Sequence, residues 1–545
     1  MSRLGVLFVI PTNILDLKEI KRGMPDAIEP PAKARFMLAY LMRRNVGVDL
    51  IDSNVTGHAP EAVAEEIRAA DPHLVVVPVY GYNPSASTQT MVSARAFAQA
   101  IRRTSPHTPI LFTGTHPAAL PEQTLREEPI DYVCGGEGPI TVHELLLAIR
   151  SGSRREDIRR VRSLWYREDG VIGHGLEAPL IDLSQEPALP GWQYMDPRRY
   201  RPHHWHRFYR TTDAGGNNLP EPYANPYSVE GCPFHCDFCN IQAPYREGEA
   251  YLGGIGLLKP RVNSFRHLRP ELFVEEVTHL VETYGVTFFK IPDEMFGLGD
   301  HPAAIARLIR DRFGDSLNFW CYFRVDTCKP KDLELLRSAG FRWLALGIEA
   351  ADSKVRSGQD KRFSTEHVYG IVDRLHAAGI EGVLNYIFGL PTDTMASLEA
   401  TYQLACELNG AYGNFYCTQA LPGSVLHRQA KASGYPLPER IGGPGWIGHA
   451  QYSYESEPYY VGDILTPAQI LAFRDWANVA YYERPEYRAR LLRDPKFGEL
   501  AIRDIGAWMR SIRTLKRGLF GGHAFWELPE AERVKLVPAS ERTQP

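Results

Sequence analysis

Short apolar runs recur through the first part of the chain, at residues 5–10, 48–51, 74–79, 110–112 and 132–133. They are too short for helices and too uniformly apolar for strands with one wet face, so they predict strands covered on both sides. The intervals between them have helix length. Ala94, Phe97 and Ile101 form one apolar stripe, and Val142, Leu145, Leu146 and Ile149 form another at i, i+3, i+4 and i+7. Five such β/α units over residues 1–150 predict a flavodoxin-like, doubly wound parallel sheet whose ligands sit at the carboxyl ends of its strands. Residues 151–225 lose the alternation and read as a connector, with a strand entering a hairpin at Leu164 to Gly170.

Alternation resumes over residues 226–430, with strands expected at 227–230, 287–291, 319–324, 343–348, 383–388 and 413–419. Phe273, Val277, Leu280 and Val281 mark the core face of an intervening helix. Six strands rather than eight predict an open (β/α)6 partial TIM barrel, again with its chemistry at the strand carboxyl ends. Residues 431–545 read as mainly helical, with Ile470, Phe473, Trp476 and Ala477 on one stripe and many aromatic residues, among them Tyr452, Tyr454, Tyr459, Tyr460, Trp508 and Trp526. The fold class is therefore α/β: a doubly wound domain, a connector, a partial barrel and a C-terminal helical cap.

Composition narrows the partners. Of 545 residues 44% are hydrophobic and 23% charged, and the net charge is −4 with both signs interleaved. Nothing here suits a polyanion, so nucleic acid is not an expected partner. No stretch approaches the ~20 apolar residues of a membrane-spanning helix, and Pro11 stops the N-terminal apolar run before it resembles a leader. Eight cysteines in so long a chain make no disulfide framework. A cytoplasmic, reducing location is the expectation.

The chemistry begins at Gly231-Cys232-Pro233-Phe234-His235-Cys236-Asp237-Phe238-Cys239-Asn240. Cys232, Cys236 and Cys239 offer three thiolates within eight residues. A structural zinc site wants four protein ligands, and a ferredoxin-type cluster takes four cysteines. Three close cysteines suit a cluster with one iron left open. Two other readings stay on the table: a zinc site borrowing Cys321, Cys328, Cys406 or Cys417, and a chance group of reduced core thiols. The run His203-His204-Trp205-His206 reads as a solvated loop, since Pro and Arg flank it.

This C-x-x-x-C-x-x-C run, with an aromatic residue before the last cysteine, resembles the signature of the radical S-adenosylmethionine (SAM) enzymes. Further pieces follow in the family's order: Asp293-Glu294 after the second strand, Arg324-Val325-Asp326 after the third, Gly347-Ile348-Glu349 after the fourth, Gly389-Leu390-Pro391-Thr392-Asp393 after the fifth, and Leu421-Pro422-Gly423-Ser424 at the end. The resemblance implies a 4Fe-4S cluster on Cys232, Cys236 and Cys239. It implies SAM contacts from Phe238, Asp293 or Glu294 (ammonium), Arg324 (carboxylate), Glu349 (ribose) and Gly389 (adenine).

Placed before such a core, the first sheet resembles the cobalamin-binding domain of the cobalamin-dependent radical SAM enzymes. Pro30-Pro31, Leu50-Ile51-Asp52, Gly114 to Pro117 and Gly135-Gly136-Glu137-Gly138 are the matching pieces. The implied cobalamin contacts are Thr12, Asn13, Tyr82, Ser85, Ser87, Gly114, Thr115, His116, Gly135, Gly136 and Glu137. The D-x-H-x-x-G motif that supplies a histidine to cobalt is absent, because Asp71-Pro72-His73 runs on into Leu-Val-Val. Cobalt without a histidine lower ligand is thus expected, as is the absence of a G-x-G-x-x-G dinucleotide site.

The resemblance points to methyl transfer from methylcobalamin to a carbon of a small organic or natural-product substrate, with flavodoxin or ferredoxin as electron donor. Cyclisation, ring contraction or rearrangement with the same cofactors is the rival, and methylation of an sp2 carbon a variant. A non-catalytic iron–sulfur sensor is the reading from another class. Methylthiotransferases fit poorly, since the N-terminal domain holds only Cys134. No side chain is assigned as acid, base or nucleophile.

Overall fold

In the computed structural model, residues 3–12, 27–81, 86–152, 154–202, 222–245, 264–359, 361–437, 463–493, 495–515, 523 and 525–537 are described. The first sheet orders its strands β2-β1-β3-β4-β5-β6-β7. The strands are β1 (Val6–Ile10), β2 (Val48–Asp52), β3 (Leu74–Pro78), β4 (Ile110–Thr113), β5 (Tyr132–Cys134), β6 (Leu164–Glu168) and β7 (Val171–His174). The first five are parallel in the flavodoxin order, as the buried runs predict. In β1, Val6, Phe8 and Ile10 join one core while Leu7 and Val9 join the other, so every residue of the strand is covered. The hairpin at the start of the connector is not a free linker element. It adds β6 and β7 antiparallel to the edge of this sheet.

The second large sheet orders its strands β15-β14-β13-β12-β11-β8, all parallel. They are β8 (Tyr223–Ala224), β11 (Phe288–Ile291), β12 (Asn318–Arg324), β13 (Phe341–Glu349), β14 (Glu381–Phe388) and β15 (Tyr412–Cys417). This is the expected six-stranded open barrel, with one correction. Residues 227–230 are not its first strand: that place belongs to Tyr223–Ala224, while β9 (Val229–Glu230) pairs antiparallel with β10 (Arg266–His267). Two residues are too few to leave a periodic signal. On the helix-facing side, Phe289, Phe319 and Phe341 stack at 5.0 and 4.8 Å, which holds the curl of β11, β12 and β13.

The helix Pro467–Glu483 lies on β15, with Phe473 edge-on to Phe388 at 5.0 Å. Its predicted stripe of Ile470, Phe473, Trp476 and Ala477 is buried there. Among the described residues no helix is long and apolar enough to cross a membrane.

The two sheets meet through α1 (Ala32–Met42). Every residue from Ala34 to Leu41 is buried, so this helix has no solvent face and must be covered from both sides. It brings charge with it. Arg35 donates to Asn225 Oδ1 at 3.0 Å and to the Asn225 carbonyl at 2.9 Å, and its guanidinium lies over the Trp192 ring at 4.1 Å. Just ahead of the helix, Glu29 receives Lys290 of β11 at 2.8 Å on both oxygens, with neither side chain more than 2% exposed. Such pairs cost desolvation and are retained where breaking one would strand a buried charge.

Candidate active site

The cysteine loop leaves β9 at Gly231, whose φ of +75° places any Cβ 2.4 Å from the Ser264 carbonyl. Gln242 and Ser264 brace the loop: Ser264 Oγ donates to Gln242 Oε1 at 2.7 Å, and Gln242 donates to the Phe234 carbonyl at 3.2 Å. Cys232, Cys236 and Cys239 are all half-buried. Burial pushes the Cys239 thiol up to about 12 and the Cys232 thiol higher still, so only a bound cation would draw out their protons. Arg324 Nη1 stands 3.3 Å from Cys236 Sγ, its guanidinium lies 3.9 Å over the Phe234 ring, and Asp326 holds it through two 2.9 Å bonds. Burial opposes that charge, but Asp326 and Cys236 outweigh it and raise the Arg324 pKa.

The donor set fits a cluster better than a zinc ion. Sulfurs tetrahedral about one zinc stand about 3.8 Å apart, given a Zn–S bond of ~2.3 Å. Among the described residues no group of three or more His, Cys, Asp or Glu side chains is arranged to hold a single metal ion. Thiolates that each take a different iron of a cluster stand wider.

Around the loop the structure collects the expected motifs. Phe238 packs on Ala350 and Leu390, the residues following Glu349 and Gly389. Glu349 sits at a register shift in β13 with φ +67°, a strained backbone for a side-chain-bearing residue. Lys361, which the sequence does not advertise, holds it: Lys361 Nζ pairs with Glu349 Oε1 and donates to the Gly347 carbonyl at 3.2 Å. Gly389 adopts φ +84°, and a Cβ there would meet Ile470 at 2.4 Å. Its turn is pinned by Asp393, which accepts the Gly389 and Leu390 N–H groups at 3.0 Å each and the Ser397 hydroxyl at 2.6 Å. Burial pushes the Asp393 carboxyl up to about 6 against those bonds.

Asp293 and Glu294 divide sharply. Asp293 is fully buried and committed to Ser228, accepting its N–H at 2.8 Å and its hydroxyl. Glu294 Oε1 accepts the Tyr227 hydroxyl at 2.7 Å and meets Lys33 Nζ at 3.1 Å. Among the described residues its buried Oε2 has no hydrogen-bond partner. Burial raises the Glu294 carboxyl, opposed chiefly by Lys33. A buried carboxylate oxygen without a partner, on a residue close enough to Cys232 and Cys239 to act on both thiols, is what an ammonium group would satisfy.

At the strand ends of the first sheet the expected cobalamin residues are brought together in part. Gly114 (φ +147°) closes on Val79, where a Cβ would stand 2.2 Å from the carbonyl. Ser87 donates to that same carbonyl and accepts the His116 N–H at 2.9 Å, while Thr88 Oγ1 bonds His116 Nδ1 at 3.0 Å. Thr115 is buried beside them, and Thr12 reaches Ser93 at 3.2 Å. Gly135 and Gly136 line a recess with Ser163 and Pro179. Glu137 turns elsewhere. It pairs with Arg266 of β10 and accepts the Ile181 N–H at 2.8 Å, tying sheet, connector and barrel. Asn13, Tyr82 and Ser85 lie outside the described residues, as do His203 to His206 and Tyr452 to Tyr460.

Between the two sets of strand ends runs a cleft. It is lined from one side by Ile10, Pro78, Tyr80 and Gly81, and from the other by Asn225, Tyr227 and Pro292, with Lys33 in its wall. Where Gly423 turns after the barrel, a Cβ would strike Ala243 at 2.9 Å and Ala119 at 3.1 Å, so the segment after His116 abuts the segment after the cysteines.

Residues 227–405 match the radical SAM superfamily and residues 26–146 the B12 binding domain. The chain belongs to the cobalamin-dependent radical SAM family. Its cofactors are a 4Fe-4S cluster, SAM and cobalamin. An uncharacterized methyltransferase of Pyrococcus horikoshii is 24% identical over 79% of this chain and 84% of its own. The anaerobic magnesium-protoporphyrin IX monomethyl ester cyclase of Rubrivivax gelatinosus is 24% identical over 73% and 66%. In fold, the chain matches the radical SAM methyltransferase TsrM of Kitasatospora setae, solved with cobalamin and a [4Fe-4S] cluster (TM-score 0.65, 17% identity, 94% of this chain and 99% of that one). It also matches the cobalamin-dependent enzyme OxsB (TM-score 0.61, 13% identity, 93% and 72%).

Proposed function

We propose that this chain transfers a methyl group to a carbon of a small organic substrate held in the cleft between its two sheets. The observation that carries the reading is that cleft: one wall is the strand ends of the B12-binding domain, the other the barrel mouth beside the cysteine loop. The bound cofactors supply a carbon radical and a transferable methyl group. Such a pairing suits a carbon with no acidic proton, where a general base achieves nothing.

The chain's own residues orient and shield. Cys232, Cys236 and Cys239 would hold the cluster, with Arg324 offsetting thiolate charge at Cys236. Glu294 Oε2 would receive the SAM ammonium, Glu349 and Lys361 would frame the ribose side, and the Gly389 turn would bed the adenine. Ser87, Gly114 and His116 would shape the cobalamin face, and an external one-electron donor would reduce the cluster. The buried walls of the cleft exclude water from a reactive radical.

Methyl transfer is supported by the P. horikoshii relative, which carries a methyltransferase name along 84% of its length. The cyclase relative supports a second reading, ring formation in the same cleft. Product mass separates them, because only methylation adds a CH2 unit. Candidate substrates incubated with methyl-labelled SAM should gain that mass with the label. Products that form without either would establish the second reading.

A further inference from the structure

Lys33 belongs to the B12-binding half of the molecule, yet its ammonium sits among carboxylates of the barrel. Lys33 Nζ lies 2.5 Å from Glu230 Oε2 and 3.1 Å from Glu294 Oε1, with its side chain only 13% exposed. It faces the Tyr227 ring at 4.5 Å and the Tyr245 hydroxyl at 3.5 Å. Tyr245 in turn donates to Glu230 Oε2 at 2.7 Å, and Tyr227 to Glu294 Oε1 at 2.7 Å. The Lys33 and Tyr227 contacts both fall on Glu294 Oε1, and among the described residues the buried Oε2 has no hydrogen-bond partner. The ammonium and its two carboxylates sum to one negative charge, and SAM, with a sulfonium, an ammonium and a carboxylate, carries one positive charge. A buried cluster with one uncompensated charge is costly until a cation of that size arrives.

We infer that Lys33 is a positioning residue for SAM: by tethering Glu294 Oε1 and screening it from Glu230, it aims Oε2 at the SAM ammonium. The SAM site is therefore completed across the domain interface, by a side chain of α1. Without the ammonium, Glu230 and Glu294 repel each other, and the Tyr227 hydroxyl alone is left to hold Glu294 Oε1 against that repulsion. The inference rests on Glu294 being the SAM contact, and the test separates the two.

The measurement is SAM affinity of the cluster-reconstituted, cobalamin-loaded full chain by anaerobic equilibrium dialysis, with hydrogen exchange of residues 32–42 as a second readout. Lys33→Met should weaken SAM about tenfold or more, raise KM by a similar factor and change kcat less than about threefold (each 1.4 kcal/mol being tenfold). Adding Glu230→Gln should restore affinity to within about threefold, since the amide removes the repulsion and can donate to Glu294. SAM should slow exchange across α1 in the unmodified protein but not in Lys33→Met. If Glu294→Gln weakens SAM tenfold while Lys33→Met does not, the role of Lys33 is overturned alone. If Lys33→Met weakens SAM and Glu230→Gln fails to rescue it, Lys33 is a structural tie only. If Glu294→Gln leaves affinity unchanged, the SAM-site reading itself fails. Should Lys33→Met not fold, Glu230→Gln alone decides: it neutralises the cluster and should weaken SAM several-fold, and unchanged affinity contradicts the inference.

Discussion

The barrel mouth and the strand ends of the first sheet face one cleft, but they are prepared for ligands in different ways. At the barrel mouth side chains are left ready for ligands: the Cys232 and Cys239 thiols, held high by burial, and a buried Glu294 oxygen without a hydrogen-bond partner among the described residues. At the first sheet several of the polar side chains are already committed to one another or to the backbone, Ser87 to Val79 and His116, Thr88 to His116, Thr12 to Ser93 and Glu137 to Arg266. One surface would bind through side-chain charge, the other through shape and close backbone approach at Gly114, Gly135 and Gly136. A small cationic ligand and a cluster need the first kind of surface. A large planar macrocycle is served by the second.

The contrast can be broken most forcefully at the cysteines. Cys239→Ala should abolish cluster assembly, lowering SAM cleavage by more than about a thousandfold, while cobalamin stays bound. Metal analysis and absorbance read both, and loss of cobalamin in this variant would mean the two surfaces are not independent. Lys361→Met should be next in size. It strands the Glu349 carboxylate in a buried site, which typically costs about 3–5 kcal/mol, read as a drop in the denaturant midpoint. Gly114→Ala asks the converse question, since its Cβ would stand against the Val79 carbonyl in a backbone conformation that disfavours side chains. A loss of about 2–3 kcal/mol is expected, with cobalamin retention falling and iron content unchanged.

The smallest expected effect is a pH dependence. The folded pKa of Asp393 is raised by burial from 3.8 to about 6, so the folded state binds more protons than the unfolded one between those values. Stability from this group is present at low pH and is lost as pH rises through about 6. Moving from pH 7.5 to 5.5 should add roughly 0.8 kcal/mol from Asp393, and Asp52, raised to about 6 by the same cause, adds a similar amount. Denaturant titrations at the two pH values read the total change, to which the other raised carboxyls add, and Asp393→Asn should lower it by its own roughly 0.8 kcal/mol.

Much of the architecture was legible because burial on both faces leaves an apolar run, and because the motifs follow strands at fixed places. Cys232, Arg324, Glu349 and Gly389 are read that way, and the structure sets Arg324 against Cys236 and Phe234, and Phe238 against the cluster of Ala350 and Leu390. What escaped was of two kinds. Tyr223–Ala224 is too short to register as a strand, so the first barrel strand was placed four residues late. The charged residues that dock the domains, Glu29, Lys33, Arg35 and Lys290, look like surface in a linear sequence, where partners some 200 residues away are invisible. Lys361 was missed for a related reason: it follows Glu349 by a loop and a short helix with no periodic tie to it.

The central claim is that one chain holds both resident cofactors across a single cleft. The most direct test is the ultraviolet–visible spectrum and metal content of the anaerobically purified full chain. Cobalamin bands superimposed on iron–sulfur absorption are expected, with about four irons and about one cobalt per chain. Iron and sulfide with no cobalamin bound, even after anaerobic reconstitution with excess cobalamin, would contradict that claim.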